Sequence, residues 1–144
     1  MPEPCADNIY LKKAYAYHVC GMFAQNREYE KVSKGGHAVL AQLLLYANEN
    51  FRTKCMLRDI CTEIGYDYVY ISKFFKRAVG IPFRRYVNLL RIRESQYLLK
   101  SSSQGMIEIA YESGFSSLRD FDRQFVAIVG CTPTEYRKNH LSQK

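Results

Sequence analysis

Apolar residues recur in the middle of the chain at spacings of three and four, the pattern of a short helix that buries one face. The first such stripe comprises Leu57, Ile60, Cys61 and Ile64. Gly65 follows it, and glycine readily adopts the left-handed backbone that ends a helix. Asp67 then stands where an N-cap of a second helix is expected. The pattern predicts two helices across a tight turn.

The second predicted helix combines a buried face with a basic outer face. Its apolar stripe comprises Ile71, Phe74, Phe75 and Ala78. Its opposite face carries Val69, Ser72, Lys73 and Lys76. Two helices across a glycine-containing turn, the second with a basic outer face, are typical of a helix-turn-helix that reads DNA. An ordinary helical hairpin shares this turn chemistry, so one copy alone leaves that alternative open.

The same pattern occurs a second time, displaced by 49 residues up to the glycine of the turn and by 50 after it. Gly114 takes the place of Gly65, and Ser116 or Ser117 is the expected N-cap of the next helix. The buried stripe of that helix comprises Phe121, Phe125 and Ile128. Its outward residues are Arg119, Asp122, Arg123 and Val126, with Leu118 at the edge of the stripe. Two copies favour duplicated modules, because a solenoid needs about three repeats to bury a continuous core.

A long helix is predicted between the two modules. Gly80 ends the first module, and Pro82 stands at the first turn of the next helix. The helix from Phe83 to Leu99 has about 17 residues and spans about 25 Å. Together with the width of the modules, this length suits two readers in major-groove segments about 34 Å apart.

Two further helices are expected to flank the modules. Residues 38–50 predict a supporting helix, with its inward face formed by Leu40, Leu43, Leu44 and Ala47. At the other end, Thr132 is the expected cap of a last helix that starts at Pro133, with Tyr136 buried and Arg137 outward.

These segments resemble the DNA-binding domain of the AraC/XylS family of bacterial transcription regulators, from about Ala38 to Lys138. The resemblance is carried by Ile64-Gly65-Tyr66, Phe75-Lys76-Arg77 with Gly80, Tyr86 with Arg91, Ile109-Ala110 followed by Gly114-Phe115, and the stretch from Gly130 to Arg137. It implies an all-α fold in which two helix-turn-helix subdomains, at about 57–79 and 106–129, are joined by a long linker helix. It also implies a sequence-specific regulator, usually an activator that contacts RNA polymerase, which reads two successive major-groove segments.

The first 36 residues are expected to form a region separate from an AraC-type domain at residues 37–144. A helix from about Ile9 to Arg27 has a broad apolar face, and residues 28–37 predict a linker ending in Gly35-Gly36. The apolar face has three readings: it packs back on the domain, it pairs two copies into a homodimer, or it docks to a missing domain. The helix resembles the last helix of the family's effector-binding and dimerisation domain. The chain is therefore interpreted as a fragment or as a short member without that sensor.

The net charge of +7 is confined to the part of the chain after residue 50, because the first 50 residues hold five basic and five acidic side chains. Seven basic residues follow one another without an intervening acid: Lys73, Lys76, Arg77, Arg84, Arg85, Arg91 and Arg93. Surface lysines and arginines usually only keep a face solvated. A run of one sign on and after a recognition helix favours a polyanionic partner, here double-stranded DNA.

Candidate DNA contacts follow from the outward positions of the two recognition helices. The expected base contacts are Val69, Tyr70, Ser72, Lys73, Leu118, Arg119, Asp122 and Arg123. Lysine and arginine donate to guanine, and valine or leucine can meet a thymine methyl group. Tyr70 serves a base or a phosphate, and Asp122 either accepts from cytosine or orients Arg123. The expected phosphate contacts are Lys76, Arg77, Arg84, Arg85 and Arg137.

The second module departs from the resembled family in a way that weakens its attraction for DNA. Val126 and Ala127 stand where the family usually has basic residues, and Asp120 and Asp122 lie nearby. We therefore expect the first recognition helix to contribute more affinity than the second.

Other functional classes find little support in the sequence. The three histidines are scattered, no nucleophile or phosphate-loop motif occurs, and no cofactor is implied, so an enzyme is not expected. The five cysteines lack metal-ligand spacing, and Cys61 is expected to pack in a core, although a redox or zinc role stays open. No apolar run reaches membrane-span length and no secretory signal is visible, which predicts a cytoplasmic protein associated with the nucleoid. A helical protein-interaction module without specific DNA binding is the alternative function.

Overall fold

The computed structural model describes residues 34–141, and this part of the chain contains seven α-helices and no strand. The helices are α1 (Lys34–Asn50), α2 (Leu57–Ile64), α3 (Tyr68–Val79), α4 (Phe83–Ser101), α5 (Met106–Glu112), α6 (Leu118–Val129) and α7 (Pro133–Leu141). The predicted all-α class is confirmed. The helix predicted for residues 9–27 lies outside the described residues.

The described residues divide into two compact units. The first unit contains residues 34–49 and 55–86, and the second contains residues 50–54 and 87–141. Each unit holds one of the helix-turn-helix motifs, α2–α3 in the first and α5–α6 in the second. Helix α4 contributes its first turn to the first unit and its remaining residues to the second.

The first unit is built around apolar residues contributed by α1, α2, α3 and the start of α4. Its buried side chains are Leu40, Leu43, Ala47, Leu57, Ile60, Cys61, Ile71, Phe75 and Phe83. Phe75 stands edge-on to Phe83 and to Tyr86, with ring centroids 5.1 and 5.7 Å apart. Of the two predicted stripes, Leu57, Ile60, Cys61, Ile71 and Phe75 are buried, whereas Ile64, Phe74 and Ala78 are only half-buried. The opposite faces of α2 and α3 remain in solvent.

The second unit has its own aromatic core. Its buried cluster comprises Ile92, Leu98, Leu99, Ile109, Ala110, Phe115, Phe121, Phe125 and Tyr136. Phe121 contacts Phe115 and Phe125 with centroids 5.4 and 5.6 Å apart, and Phe125 meets Tyr136 at 5.5 Å. Edge-on and tilted pairs of this kind suit the charge distribution of aromatic rings. Because α7 supplies Tyr136, it completes the core that anchors α6.

Two predicted helix boundaries need correction. The linker predicted up to Gly35-Gly36 is wrong for residues 34–37, because α1 begins at Lys34 and includes both glycines in its first turn. Glycine weakens a helix through its backbone entropy, by about 0.5–1 kcal/mol relative to alanine, and this cost does not prevent α1 from starting there. Helix α4 continues to Ser101, two residues beyond the predicted end, and the Ser101 hydroxyl donates to the carbonyl of Tyr97. Leu44, predicted to face inward, is only half-buried.

Candidate nucleic-acid interface

The turn of the first module is fixed by two local devices. Gly65 adopts a left-handed conformation with φ of 72°, and the N–H of Tyr66 donates to the carbonyl of Cys61 at 3.0 Å. The Asp67 carboxylate accepts a hydrogen bond from the N–H of Tyr70 at 2.9 Å, which caps α3. Such a cap satisfies a donor at the helix start that has no intrahelical partner. The sequence signals at both positions are confirmed.

The outer face of α3 presents the base-contact candidates to solvent. Val69 exposes 55% of its surface and Tyr70 58%. Lys73 is exposed and Ser72 is half-buried. Lys76 and Arg77 lie exposed in the last turn of the same helix. This face therefore combines an apolar leading end with a basic trailing end, while Ile71 and Phe75 are buried on the other side.

Three aromatic rings form a row beside this face. The centroids of Tyr66 and Tyr70 are 6.1 Å apart with nearly parallel planes, and those of Tyr70 and Phe74 are 6.3 Å apart. Phe74, predicted to lie in the buried stripe, is half-buried and ends the row. Aromatic residues at positions 66, 70 and 74 are spaced by four, as neighbours on one helix face are. This spacing could have predicted the row, but Phe74 was assigned to the core instead.

The turn of the second module repeats the first but is held more tightly. Gly114 has φ of 94°, and a Cβ there would lie 2.5 Å from the carbonyl oxygen of Phe51 and 2.8 Å from the Cα of Arg52. Glycine is required here for its conformation and for the close backbone approach. Ser117, one of the two predicted caps, accepts from the N–H of Asp120 at 3.2 Å.

The outer face of α6 is charged along most of its length. Arg119, Asp122 and Arg123 are exposed, as predicted from their spacing. The guanidinium of Arg123 donates to the carboxylate of Asp120 one turn earlier, so Asp120 rather than Asp122 orients it. Leu118 is half-buried and packs against the core cluster of the second unit, which favours its structural role.

Arg91 has a role that the sequence did not reveal. Its Nε donates to the carbonyl of Phe51 at 2.7 Å and its Nη2 to the carbonyl of Thr53 at 3.0 Å. Its guanidinium also lies over the ring of Phe115, 5.8 Å from the centroid. Arg52 itself forms an ion pair with Glu94, which lies on α4 as Arg91 does. These contacts fasten residues 50–54 beside the turn of the second module.

The phosphate-contact candidates fall into two groups. Lys76, Arg77, Arg84 and Arg85 are exposed, the last two in the first turn of α4. Arg137 is half-buried, and its Nε and Nη2 are buried without a hydrogen-bond partner among the described residues. The prediction that Arg137 points outward is therefore wrong for these two donors. The neighbouring Tyr136 was correctly predicted to be buried.

Titratable groups near the modules have structural causes for their pKa values. Burial, and secondarily the charge of Asp67, raises the pKa of the Cys61 thiol, as suits a packed and unreactive side chain. Hydrogen bonds from the backbone and hydroxyl of Thr132 lower the pKa of Glu135. Together these two residues form a capping box at the start of α7.

The described helices offer neither a metal site nor a membrane span. No group of three or more His, Cys, Asp or Glu side chains within residues 34–141 is arranged to hold a metal ion. None of the described helices combines the length and the hydropathy needed to cross a bilayer.

Comparison with known proteins identifies the class of these two modules. The profile of the helix-turn-helix domain family matches residues 60–139, which is more than half of the chain and includes both turns. The chain belongs to the AraC/XylS family. It is a DNA-binding transcription regulator, and the alternative of a helical interaction module receives no support from the matches.

Relatives and solved structures of AraC/XylS regulators agree with this assignment. The Transposon Tn10 TetD protein of Escherichia coli is 29% identical over 103 residues, covering 72% of this chain and 75% of its own length. The HTH-type transcriptional activator AarP of Providencia stuartii is 28% identical over 100 residues, covering 69% of this chain and 74% of its own. Longer relatives are matched over 32% to 44% of their length.

A solved structure supports the fold of the AraC-type domain. The DNA-binding domain of AdpA, a global transcriptional factor determined in complex with a target DNA, matches with a TM-score of 0.68. The match covers 73% of this chain and 95% of that domain, at 20% identity. At this identity the likeness shows the arrangement of helices and leaves the base contacts to be argued from the residues present here.

Proposed function

We propose that this AraC/XylS regulator binds its operator by placing α3 and α6 in two successive major-groove segments. The observation that carries the proposal is that both helices bury one apolar stripe and leave the opposite face in solvent, with basic side chains on α3 and charged side chains on α6. A recognition helix needs such an outer face, because its N-terminal residues must reach base edges.

In the first segment, the contacts are proposed to come from Val69, Tyr70, Ser72 and Lys73. Lys73 donates to guanine, and the half-buried Ser72 offers a short donor or acceptor. In the second segment, Arg119 is the principal reader, since it is exposed and makes no hydrogen bond or ion pair within the described residues. A bidentate arginine–guanine pair contributes about 1–3 kcal/mol of discrimination. Asp122 accepts from cytosine, and Leu118 contributes chiefly to packing.

The phosphates are proposed to meet Lys76, Arg77, Arg84 and Arg85. All four side chains are exposed, and contacts of this kind fix the register of the protein on the duplex. Arg137 joins them only after a change of rotamer, because two of its donors are buried.

The first module is proposed to supply more affinity than the second. Helix α3 carries Lys73, Lys76 and Arg77 without an acidic residue, whereas α6 carries Asp120 and Asp122 beside its two arginines. The pairing of Arg123 with Asp120 lowers the positive charge that α6 offers to DNA. The second module accordingly contributes orientation and selectivity more than attraction.

The biological setting of the regulator is proposed from its relatives. AarP is a transcriptional activator, and we assign activation, through contact with RNA polymerase at the promoter, to this chain as well. The protein acts on DNA in the cytoplasm without enzymatic turnover or a cofactor. The proposed division of the chain is a separate N-terminal region that ends before Lys34 and pairs two copies, followed by a DNA-binding domain that starts with α1 at Lys34 and not at residue 37.

The test is a selection of genomic fragments on the purified full chain, followed by footprinting of the selected sites. We expect two protected major-groove segments about one helical turn apart. Both should disappear in the Lys73→Ala, Arg119→Ala double variant and persist in a Tyr97→Ala control, whose side chain is exposed on α4. Protection of the first segment alone would contradict the two-segment reading, and an absence of enriched sites would refute operator binding.

A further inference from the structure

The leading end of α3 is apolar, although the rest of its outer face is basic. Val69 and Tyr70 occupy the first turn of this helix and are more than half exposed. The corresponding positions of α6, 50 residues later, hold Arg119 and Asp120. The two modules therefore present opposite chemistry where a recognition helix first reaches base edges.

The ring of Tyr70 has an aromatic neighbour on each side. Its ring lies between those of Tyr66 and Phe74, with interplanar angles of 15° and 12°. Its backbone N–H is fixed by the cap at Asp67. Val69 beside it is β-branched and has one strongly preferred rotamer in a helix. A side chain with few accessible rotamers, or one flanked by other rings, has less conformational freedom to lose on contact, which suits this pair to a specific apolar contact.

The second module has no counterpart to the aromatic row. Phe115 stands in place of Tyr66 and is only 2% exposed, within the core of the second unit. Asp120 and Gln124 replace the other two rings. The row is thus a property of the first module alone and does not follow from the packing that the two modules share.

The major groove offers one apolar group to such side chains, the C5-methyl of thymine. We propose that Val69 and Tyr70 contact thymine methyl groups in the first major-groove segment. The protein then prefers thymine in the first segment, through these two side chains, and guanine in the second, through Arg119. The inference rests on the proposed function, because it requires α3 to enter the groove. Lys73, one turn after Val69, adds a guanine contact, so the first segment combines thymine with guanine.

The test is a titration of the full chain with its selected duplex, in which single thymines are replaced by uracil. This change removes the methyl group and keeps every hydrogen-bonding group of the base pair. We expect about a fourfold loss of affinity for each contacted methyl of the first segment, the effect of one buried methylene-sized group. Uracil in the second segment should change affinity by less than about twofold on the same scale.

Variants assign the effect to the two side chains. In Val69→Ala, Tyr70→Ala protein, thymine and uracil duplexes should bind equally, because the group that contacts the methyl is absent. Leu45→Ala and Tyr97→Ala are matched controls on α1 and α4, with side chains 58% and 65% exposed, and should keep the fourfold difference. Val69→Thr, which keeps one methyl, provides a milder variant should the alanine pair unfold.

Two results would overturn the inference while leaving the proposed function intact. One is specific binding by the wild-type chain that is indifferent to uracil in the first segment. The other is a uracil effect that survives in the folded Val69→Ala, Tyr70→Ala variant. Failure of the wild-type chain to bind any selected duplex would refute both the inference and operator binding.

Discussion

Gly65 and Gly114 occupy equivalent turns, yet replacing each by alanine is expected to have very different consequences. Both glycines have positive φ, of 72° and 94°, so either alanine must adopt a left-handed backbone. A Cβ at position 65 meets nothing within 4 Å, whereas at position 114 it would overlap the backbone of Phe51 and Arg52. Gly65→Ala therefore serves as the control for Gly114→Ala, because it has the same backbone strain without the steric overlap.

The magnitudes follow from these contacts. The left-handed conformation costs an ordinary residue about 1–2 kcal/mol, which is the whole expected effect of Gly65→Ala. In Gly114→Ala, residues 50–54 must also retreat, since 2.5 Å is far below an ordinary contact. That movement strains the two hydrogen bonds from Arg91, and bonds to a charged group contribute about 1.5–3 kcal/mol each. We expect a total of about 3–5 kcal/mol.

Urea denaturation followed by circular dichroism measures both variants against the wild-type chain. With a slope of about 1–3 kcal/mol per molar urea, the Gly114→Ala midpoint should lie roughly 1 M or more below that of Gly65→Ala. Arg91→Ala should lower the free energy of unfolding less in the Gly114→Ala variant than in the wild type, because the hydrogen bonds from Arg91 to residues 51 and 53 are already strained there. Equal midpoints for the two glycine variants would refute the role assigned to residues 50–54.

Three further predictions concern DNA binding and the last helix. If the four exposed candidates contact phosphates and Arg137 joins them, the logarithm of affinity should fall with the logarithm of salt at a slope of about −4, and a slope near zero would exclude the electrostatic account. Lys73→Ala should weaken operator binding more than Arg123→Ala, because Arg123 is already paired with Asp120; equal losses on one operator would contradict this asymmetry. Thr132→Ala should destabilise the protein by about 1 kcal/mol at neutral pH through loss of the helix cap. The pKa of Glu135 is lowered in the folded protein, so its carboxylate stabilises the fold above that pKa and stops doing so as the pH falls through it. The cost of Thr132→Ala should therefore be smaller in acid than at neutral pH. A difference in urea midpoint between wild type and variant that is the same in acid and at neutral pH would argue against the capping box.

The helix-turn-helix boundaries were predictable because their signals are local. Asp67 and Ser117 cap helices that begin at the next residue, and Gly65 and Gly114 supply the left-handed turns. Each signal acts within three or four residues and survives whatever the rest of the chain does. The buried stripes follow from the same local periodicity.

The contacts that sequence reasoning missed depend on residues far apart in the chain. Arg91 was interpreted as part of a basic run and as one of the residues that carry the family resemblance, but its carbonyl partners lie 40 and 38 positions earlier. Arg137 was assigned outward from its place on one helix, whereas two of its guanidinium nitrogens are buried. Glycines at 35 and 36 were read as a break, although a helix start accommodates them. Spacing along one element carries no information of this kind.

The affiliation of residues 50–54 with the second unit limits how these modules can be exchanged between regulators. The two copies look like consecutive repeats in the sequence, but the second draws on five residues that precede the first. Consider a hybrid protein in which everything after Val87 comes from another regulator. Its residues 50–54 would then face an arginine and a turn glycine, at positions 91 and 114, from a protein with a different sequence in that segment. A functional hybrid must therefore take residues 50–54 and the second module from the same parent protein.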